Sequence, residues 1–244
     1  MKFEGTYKVG IREIGRNNKI TNIGMLGLLE DLACKHSDIV GFGVNNIEKN
    51  HKVWILMDWK LEIIDRPTYG DELKIKTWAR TFEKPRYFTY RDFEVLDHNN
   101  RRIALATSKW ILYDIKDNKI TKLDNEILSL YKPESEAIFG CEEIEKIQID
   151  SNIISEETFI YNVKRRDIDV NKHMHNLYYL TLCYEALPED IFNNKIFSNV
   201  RIMYKHQIIL GDTVKCFYSE NNNCSIVEIK SNDEKTVHAI IKLS

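Results

Sequence analysis

A chain of 244 residues can form one large domain or two small ones with a sizeable buried core. Apolar residues make up 43% and charged residues 30% of the chain, a balance that excludes a disordered or collagen-like protein. The net charge of -2 provides no overall field that would attract nucleic acid or an anionic membrane, so neither is expected as a partner.

The sequence contains no recognisable membrane anchor or export signal. Its apolar runs are far shorter than the roughly 18 residues that indicate a membrane-spanning helix, and residues 1–7 lack the apolar core of a secretory signal.

The cysteines form no C-x-x-C pair, which argues against a zinc knuckle, a redox dithiol or a disulfide framework. They are Cys34, Cys141, Cys183, Cys216 and Cys224. The expected compartment is the cytoplasm.

The first half of the chain predicts a strand, a helix and four further strands. After a strand candidate at 6–14, a helix is expected to begin at Thr21 or Asn22 as N-cap and to end between residues 36 and 40. Its apolar residues recur at helical spacing and are Met25, Leu28, Leu29, Leu32 and Ala33. Alternating apolar and polar residues then predict strands over 53–64, 72–80, 87–96 and 102–115. In the first of these, the odd positions from Val53 to Ile63 are all apolar and are expected to share one face.

The second half repeats the same order of elements. A strand is predicted over 158–163, and a helix is predicted to begin near His175 and to end before Pro188. Further strands are predicted over 199–209, 213–219, 225–230 and 236–243. A Gly-Asp turn stands at the matching place in each half, at Gly70-Asp71 and Gly211-Asp212. Because residue identity between the halves is weak, the duplication is inferred from the order of elements.

One helix against antiparallel strands, formed twice, predicts an α+β fold with two tandem domains, each with its helix on one face of a sheet. We expect an N-terminal domain over 1–130, a linker over 131–155 and a C-terminal domain over 156–244. Edge strands of the two domains could join into one continuous sheet, which would remove two exposed edges. The sequence leaves a homodimer open.

The densest polar segment of the chain is 165–176, between a predicted strand and the start of a helix. Asp169, Asn171 and His173 alternate there, so in an extended loop their side chains would point the same way. A carboxylate, an amide and an imidazole beside unpaired helix N–H groups suit the attack of water on a carbonyl group.

Two other interpretations of this segment remain open at the level of spacing. Asp and Asn are common in turns and at N-caps, where they bond their own backbone. Zinc binding is disfavoured because His173 and His175 are two residues apart and no third ligand has a recognisable spacing. No phosphate loop or dinucleotide fingerprint occurs, so no nucleotide cofactor is implied. The expectation is that the protein uses neither a cofactor nor a metal.

The string from Asp169 to Asn176 resembles the D-x-N-x-H-x-N-N signature of plant and bacterial acyl-acyl-carrier-protein (acyl-ACP) thioesterases, whose chains contain two hotdog domains. The resemblance extends over most of the chain, through Val53-Trp54-Ile55-Leu56, the 67–71 turn, Thr77-Trp78, the segment 108–114, and Glu185-Ala186-Leu187-Pro188. It implies hydrolysis of acyl-ACP to a free fatty acid and the carrier.

The resemblance also implies roles for individual residues. Asp169 would be the nucleophile or the base that activates water. Asn171 would orient that carboxylate or hold the thioester carbonyl, and His173 would assist proton transfer. Backbone N–H groups near residues 174–176 would stabilise the oxyanion, and Asn176 would contact the substrate.

This chain departs from the family pattern at two places. It has His175-Asn176 where the family usually has Asn-Asn. Where plant members have Y-R-R-E-C, with a catalytic Glu, this chain has Tyr204-Lys205-His206-Gln207-Ile208. Gln207 can form hydrogen bonds but is neither a base nor a charge. Because Ile208 replaces the cysteine, a Cys–His mechanism is not expected.

The family places the acyl chain in the first domain, so Met25, Leu28, Leu29 and Leu32 are candidate pocket residues, although such a stripe also suits plain core. The carrier is acidic, and the candidates for binding it are Arg165, Arg166 and Lys172, although a basic turn that is merely solvated would show the same residues. Other functions considered are an acyl-coenzyme A thioesterase, a non-catalytic module that binds acyl carriers, and, less favoured, a hotdog dehydratase.

Overall fold

The chain divides into two units, Met1–Ile144 and Glu145–Ser244, in a computed structural model. The structure describes residues 1–82, 86–141, 143–149 and 153–244, so part of the predicted linker at 131–155 lies outside the described residues. Each unit consists of one long helix and an antiparallel sheet, the α+β arrangement expected from the order of predicted elements.

In the N-terminal unit the strand order is β1-β3-β4-β5-β2, with the short β6 paired to β5. Helix α1 packs against β1 and β3. The elements are β1 (Phe3–Lys8), α1 (Asn22–Ile39), α2 (Ile47–Asn50), β2 (Lys52–Ile63), β3 (Glu72–Ala79), β4 (Thr89–Leu96), β5 (Arg102–Asp114), β6 (Lys119–Thr121) and α3 (Asn125–Leu130).

In the C-terminal unit the strand order is β7-β9-β10-β11-β8, with helix α4 packed against β7, β10 and β11. The elements are β7 (Glu156–Asn162), a 3₁₀ turn (Arg165–Asp167), α4 (Asn176–Glu185), α5 (Glu189–Asn194), β8 (Asn199–Tyr204), β9 (Thr213–Asn221), β10 (Cys224–Ser231) and β11 (Val237–Leu243). When the first five strands of each unit are counted in chain order, both sheets have the order first, third, fourth, fifth, second. That the two sheets join into one remains a prediction.

Helix α1 begins as its sequence predicts, because the side chain of Thr21 caps it by accepting a hydrogen bond from Gly24 N over 2.9 Å. At Gly24 a Cβ atom would lie 2.3 Å from the carbonyl oxygen of Glu13, so only glycine lets the helix approach this segment. Met25, Leu29 and Leu32 are fully buried and Leu28 is half-buried, so the apolar stripe forms part of the core.

Three predicted strands differ from those observed. β1 ends at Lys8 and not at residue 14, since residues 11–13 form a turn, and β8 ends at Tyr204 and not at residue 209. In β2 the register shifts between Leu56 and Asp58, which indicates a bulge at Met57. The expectation that all odd positions share the buried face is therefore wrong before the bulge, where Ile55 is 38% exposed, and right after it, from Trp59 to Ile63.

Residues of the predicted linker that are described contact the N-terminal unit. Tyr131 is buried and accepts a hydrogen bond from Trp54 Nε1 over 2.9 Å, and Trp78 Nε1 donates to Glu136 O over 3.0 Å. The part of the linker before residue 142 is thus packed against the first sheet.

The core of the C-terminal unit encloses two cysteines, Cys183 and Cys216. Burial raises the pKa of both thiols, that of Cys216 to about 12, so both remain protonated and unreactive at neutral pH. Among the residues that the structure describes, no helix is both long and apolar enough to cross a membrane.

Candidate active site

The polar segment of the C-terminal unit is a tight turn closed by main-chain hydrogen bonds. Asp169 N donates to His173 O over 2.8 Å, and Lys172 N donates to Asp169 O over 3.1 Å. Lys172 takes the left-handed conformation, with φ of 65°. The expectation of an extended loop, in which alternate side chains point the same way, is therefore wrong.

The carboxylate of Asp169 stabilises this turn through one of its oxygens. Oδ1 accepts hydrogen bonds from Asn171 N over 2.8 Å and from His173 N over 3.2 Å. This is the turn-forming role that Asp commonly plays. Oδ2 accepts no hydrogen bond from any residue that the structure describes, and the side chain is half-buried. One carboxylate oxygen of Asp169 therefore stabilises the turn, and the other can interact with a ligand.

The side chains of Asn171 and His173 form no hydrogen bond within the described part of the chain. Asn171 is exposed and His173 is half-buried. Their main-chain groups are fixed, because His173 forms a bridge with Ile209 and Asn171 N is bound to Asp169. The backbone is therefore held while the amide and the imidazole are available to a ligand.

The amides expected to stabilise an oxyanion are already engaged at two positions. Met174 N donates to Ile208 O, and His175 N donates to Asp167 O, each over 2.8 Å. At Met174 and His175 the prediction of oxyanion stabilisation is therefore wrong, because these two amides connect the turn to neighbouring segments; for the amide of Asn176 it stays a prediction. His175 is instead the N-cap of α4, and its Nδ1 accepts from Leu177 N over 3.3 Å.

Asp167 stabilises the turn, because its carbonyl oxygen accepts the hydrogen bond from His175 N. It is not among the site residues predicted from the sequence. It is fully buried, and its Oδ2 accepts hydrogen bonds from Tyr161 Oη over 2.8 Å and from Lys164 N over 2.7 Å. Burial and this hydrogen bond raise the pKa of Tyr161, so the phenol remains a donor. The signal that could have found Asp167 is its position two residues before Asp169, in the segment between a predicted strand and a predicted helix.

Gln207 is exposed and lies in the loop after β8, not on a strand. The next residue, Ile208, accepts the hydrogen bond from Met174 N, so the loop is bound to the candidate turn beside Gln207. Tyr179 of α4 is buried near Ile208. Within the described residues the Gln207 side chain forms no hydrogen bond.

The basic candidates are exposed, but they differ in their surroundings. Arg165 and Lys172 extend from the 3₁₀ turn and from the tight turn into solvent. Arg166 lies near Tyr161, and its Nε lies 3.7 Å from Asp167 Oδ1. Arg166 therefore also neutralises a buried carboxylate. Asn176, the first residue of α4, is half-buried, and its carbonyl accepts from Tyr204 Oη over 3.1 Å.

The same tight turn occurs a second time, in the N-terminal unit. Gly15 N donates to Lys19 O over 2.9 Å, and Asn18 takes the left-handed conformation with φ of 59°. Ile20 N donates to Pro67 O, as Met174 N does to Ile208 O. The paired positions are Glu13 and Asp167, Gly15 and Asp169, Asn17 and Asn171, Asn18 and Lys172, Lys19 and His173, Ile20 and Met174, Asn22 and Asn176.

The chemistry differs between the two copies although the backbone is shared. Gly15 stands where Asp169 stands, and Lys19 stands where His173 stands, so the first copy has neither the carboxylate nor the imidazole. Only the asparagine of the trio, Asn17, is kept. The duplication indicated by the order of elements is thus also seen in individual main-chain hydrogen bonds of the two turns. Only the second copy carries a set of side chains that suits hydrolysis.

The first copy also shows what a side chain at the position of Gln207 can reach. Its counterpart Arg66 precedes Pro67 as Gln207 precedes Ile208. Arg66 Nη2 donates to Asn22 Oδ1 over 2.6 Å, and Nη1 donates to Ile20 O over 2.8 Å. A long side chain here contacts the first residue of the helix, which is where Asn176 lies in the second copy.

No group of three or more His, Cys, Asp or Glu residues in the described part of the chain could hold a metal ion. The histidines of the candidate turn have other surroundings, since His175 caps α4 and the ring of His173 has no carboxylate or thiol bound to it there.

Comparisons with known proteins match both units of the chain. Models of the N-terminal and C-terminal domains of acyl-ACP thioesterases match residues 1–131 and 150–243. The chain is 23% identical over 228 residues to oleoyl-acyl carrier protein thioesterase 1 of Arabidopsis thaliana, a protein named as chloroplastic. This alignment covers 88% of the chain and 62% of the plant protein, so the chain spans less than two thirds of that relative.

Two solved structures cover nearly the whole chain. An acyl-ACP thioesterase from Bacteroides thetaiotaomicron has a TM-score of 0.86 at 22% identity, covering 99% of this chain and 96% of its own. A 12:0-ACP thioesterase from Umbellularia californica has a TM-score of 0.80 at 16% identity, covering 100% and 96%. At these identities the likeness shows the fold, and the predicted α+β fold of the hotdog type is confirmed.

Proposed function

The chain belongs to the acyl-ACP thioesterase family, and on that premise we propose that it hydrolyses the thioester of acyl-ACP to a free fatty acid and the carrier. The observation that carries the proposal is the carboxylate of Asp169, which is fixed in position through Oδ1 and has Oδ2 available. A group held in this way costs little reorganisation when it reacts.

In the proposed reaction Oδ2 of Asp169 acts on the thioester carbonyl, either directly as nucleophile or by taking a proton from an attacking water. Both routes use the same oxygen. The carbonyl oxygen then carries negative charge, which the Asn171 side-chain amide stabilises by donating a hydrogen bond. The C–S bond breaks, and His173 delivers a proton to the departing thiolate of the carrier. When water is the attacking group, this step releases the free fatty acid. When Asp169 is the nucleophile, the acyl group remains on Oδ2 as an anhydride, and a water molecule then hydrolyses it to the fatty acid and restores the carboxylate.

Gln207 takes the place of the family's glutamate in this scheme. Its amide can orient the substrate or a water, but it accepts no proton. The contact between Arg66 and Asn22 in the first copy supports a matching reach from Gln207 towards Asn176. Met25, Leu28, Leu29 and Leu32 remain our candidates for the acyl-chain wall. Their burial in the core also suits a purely structural role.

The proposed partner is acyl carrier protein, bound through Arg165, Arg166 and Lys172. The cytoplasm is the compartment we propose, whereas the plant relatives are named as chloroplastic. A homodimer remains a prediction.

The direct test of the proposal is hydrolysis of acyl-ACP and acyl-coenzyme A over a series of chain lengths, by the wild type and by Asp169→Asn. Asparagine keeps the acceptor oxygen that the turn requires but is no base, so we expect kcat to fall by about 10²- to 10⁴-fold. A wild type that hydrolyses no acyl thioester above background contradicts the proposed function. A rate unchanged by Asp169→Asn contradicts the role of Asp169, and binding without turnover in both proteins identifies a non-catalytic module.

We expect Gln207→Glu to raise kcat on acyl-ACP by about tenfold or more, because it supplies a carboxylate beside the turn. The matched control is His206→Glu, which places the same charge one residue earlier on an exposed position. A gain with both variants would reflect only the added charge. No gain with Gln207→Glu would show that the glutamine does not limit the reaction.

Reversing the charge of Arg165 or Lys172 to Glu should raise KM for acyl-ACP about tenfold at low salt, with a smaller effect at high salt. Arg166 is avoided because a glutamate there would face buried Asp167. Lys235→Glu serves as control, since that side chain is 85% exposed in the turn between β10 and β11. Equal changes in KM for Arg165→Glu and Lys235→Glu would contradict a docking role.

A further inference from the structure

Two arginines are buried in the sheet of the N-terminal unit, and only one of them is paired with a carboxylate. Arg80, directly after β3, is 4% exposed and pairs with Asp92 through Nε–Oδ2 and Nη2–Oδ1 contacts of 2.8 Å each. It also donates to Thr107 Oγ1 over 2.8 Å and to Cys141 O over 3.0 Å. The charge of this guanidinium is therefore compensated by a carboxylate that accepts two parallel hydrogen bonds, as a buried arginine requires.

Arg91, on β4, has no such partner. It is 6% exposed, and its Nη1 donates to His36 Nδ1 over 3.0 Å and to Thr77 Oγ1 over 3.2 Å. Its guanidinium carbon lies 5.5 Å from the centre of the Tyr131 ring. Within the described residues no carboxylate lies within ion-pair distance, and Nε and Nη2 donate to no acceptor. The remaining exposure means that solvent reaches part of this side chain.

The groups around Arg91 supply no compensating negative charge. Because arginine can only donate, His36 Nδ1 accepts, and the ring is neutral with its proton on Nε2. Burial and the nearby Arg91 lower the pKa of His36 to about 3. Burial raises the pKa of Cys34 to about 11 and also raises that of Tyr131, so both remain protonated at neutral pH. The cluster therefore has a net positive charge.

Stability alone does not account for this arrangement. Replacing a buried charge by an apolar residue of similar volume is often neutral or stabilising, because the cost of desolvating the ion disappears. Arg80 shows that this sheet can bury an arginine with complete compensation. An uncompensated guanidinium with Nε and Nη2 unbound instead has the geometry of a binding group, and its planar fork matches a carboxylate.

We propose that Arg91 binds the carboxylate of a ligand at the contact of α1, β3 and β4 in the N-terminal unit. The two oxygens would accept from Nε and Nη2, while Nη1 stays bound to His36 and Thr77. The walls are aromatic, with Phe3 stacked on His36 at 4.8 Å and His36 edge-on to Tyr131 at 5.3 Å. The carboxylate belongs either to a free fatty acid or to a small organic acid. This site is independent of Asp169 and of the proposed hydrolysis.

The test is the thermal stability of the full chain with sodium decanoate below its micelle concentration, with decanol as the uncharged match, and with acetate. At about 100 times Kd, decanoate should raise the melting temperature of the wild type about 5–10 °C more than decanol does. A shift with acetate as well assigns the site to small organic acids, and a shift with decanoate alone assigns it to fatty acids. Either result supports the proposal.

Arg91→Met should abolish the difference between decanoate and decanol, while its melting temperature without ligand stays at or above that of the wild type. Arg80→Met should lower the ligand-free melting temperature, because it leaves Asp92 buried and unpaired. Arg12→Met removes an exposed arginine of the same unit and should leave the decanoate shift intact. If Arg91→Met does not fold, the shifts with decanoate and decanol are compared in Arg91→Gln instead. The proposal is overturned if the wild type shows no excess shift with any carboxylate, or if the excess survives in the Arg91 variant.

Discussion

The hydrogen bond from Met174 N to Ile208 O connects the parts of the candidate site. It fixes the tight turn at the start of α4 against the loop that carries Gln207, although the two segments are far apart in the chain. Asp167 holds the other side of the turn through His175 N. Because main-chain groups make these connections, side chains in the turn can change without loss of the backbone geometry. The N-terminal unit shows this directly, since Gly15 and Lys19 occupy the same turn.

A shared backbone with different side chains explains how one of two similar units can bear the chemistry. In the second copy Asp169 both closes the turn and offers a carboxylate oxygen, whereas in the first copy Asn17 Oδ1 accepts from Lys19 N over 3.1 Å. The structural interpretation of Asp169 and the chemical one are therefore compatible, because they use different oxygens. The two arginines of the first sheet show the same contrast between a satisfied group and an available one.

Local patterns predicted much of the fold. Alternation predicted β3, in which Leu73, Ile75 and Thr77 share a buried face, and the capping residue Thr21 located the start of α1. The bulge at Met57 was missed because one extra residue in a strand leaves no mark on composition. The candidate residues of the site were selected by resemblance and spacing. The engagement of the Met174 and His175 amides could not be predicted, since it depends on pairing with residues distant in sequence or beyond the local turn.

The central claim is that only the second copy of the turn carries chemistry, and paired asparagines test it most directly. Asn171 and Asn17 are both exposed and hold the same place in their turns. The measurement is kcat/KM on acyl-ACP for Asn171→Ala and Asn17→Ala, with melting temperatures to confirm folding. The account predicts a loss of about 10²-fold for Asn171→Ala, because an oxyanion donor is removed, and a near wild-type value for Asn17→Ala. Equal losses in the two variants, or full activity in Asn171→Ala, would contradict it.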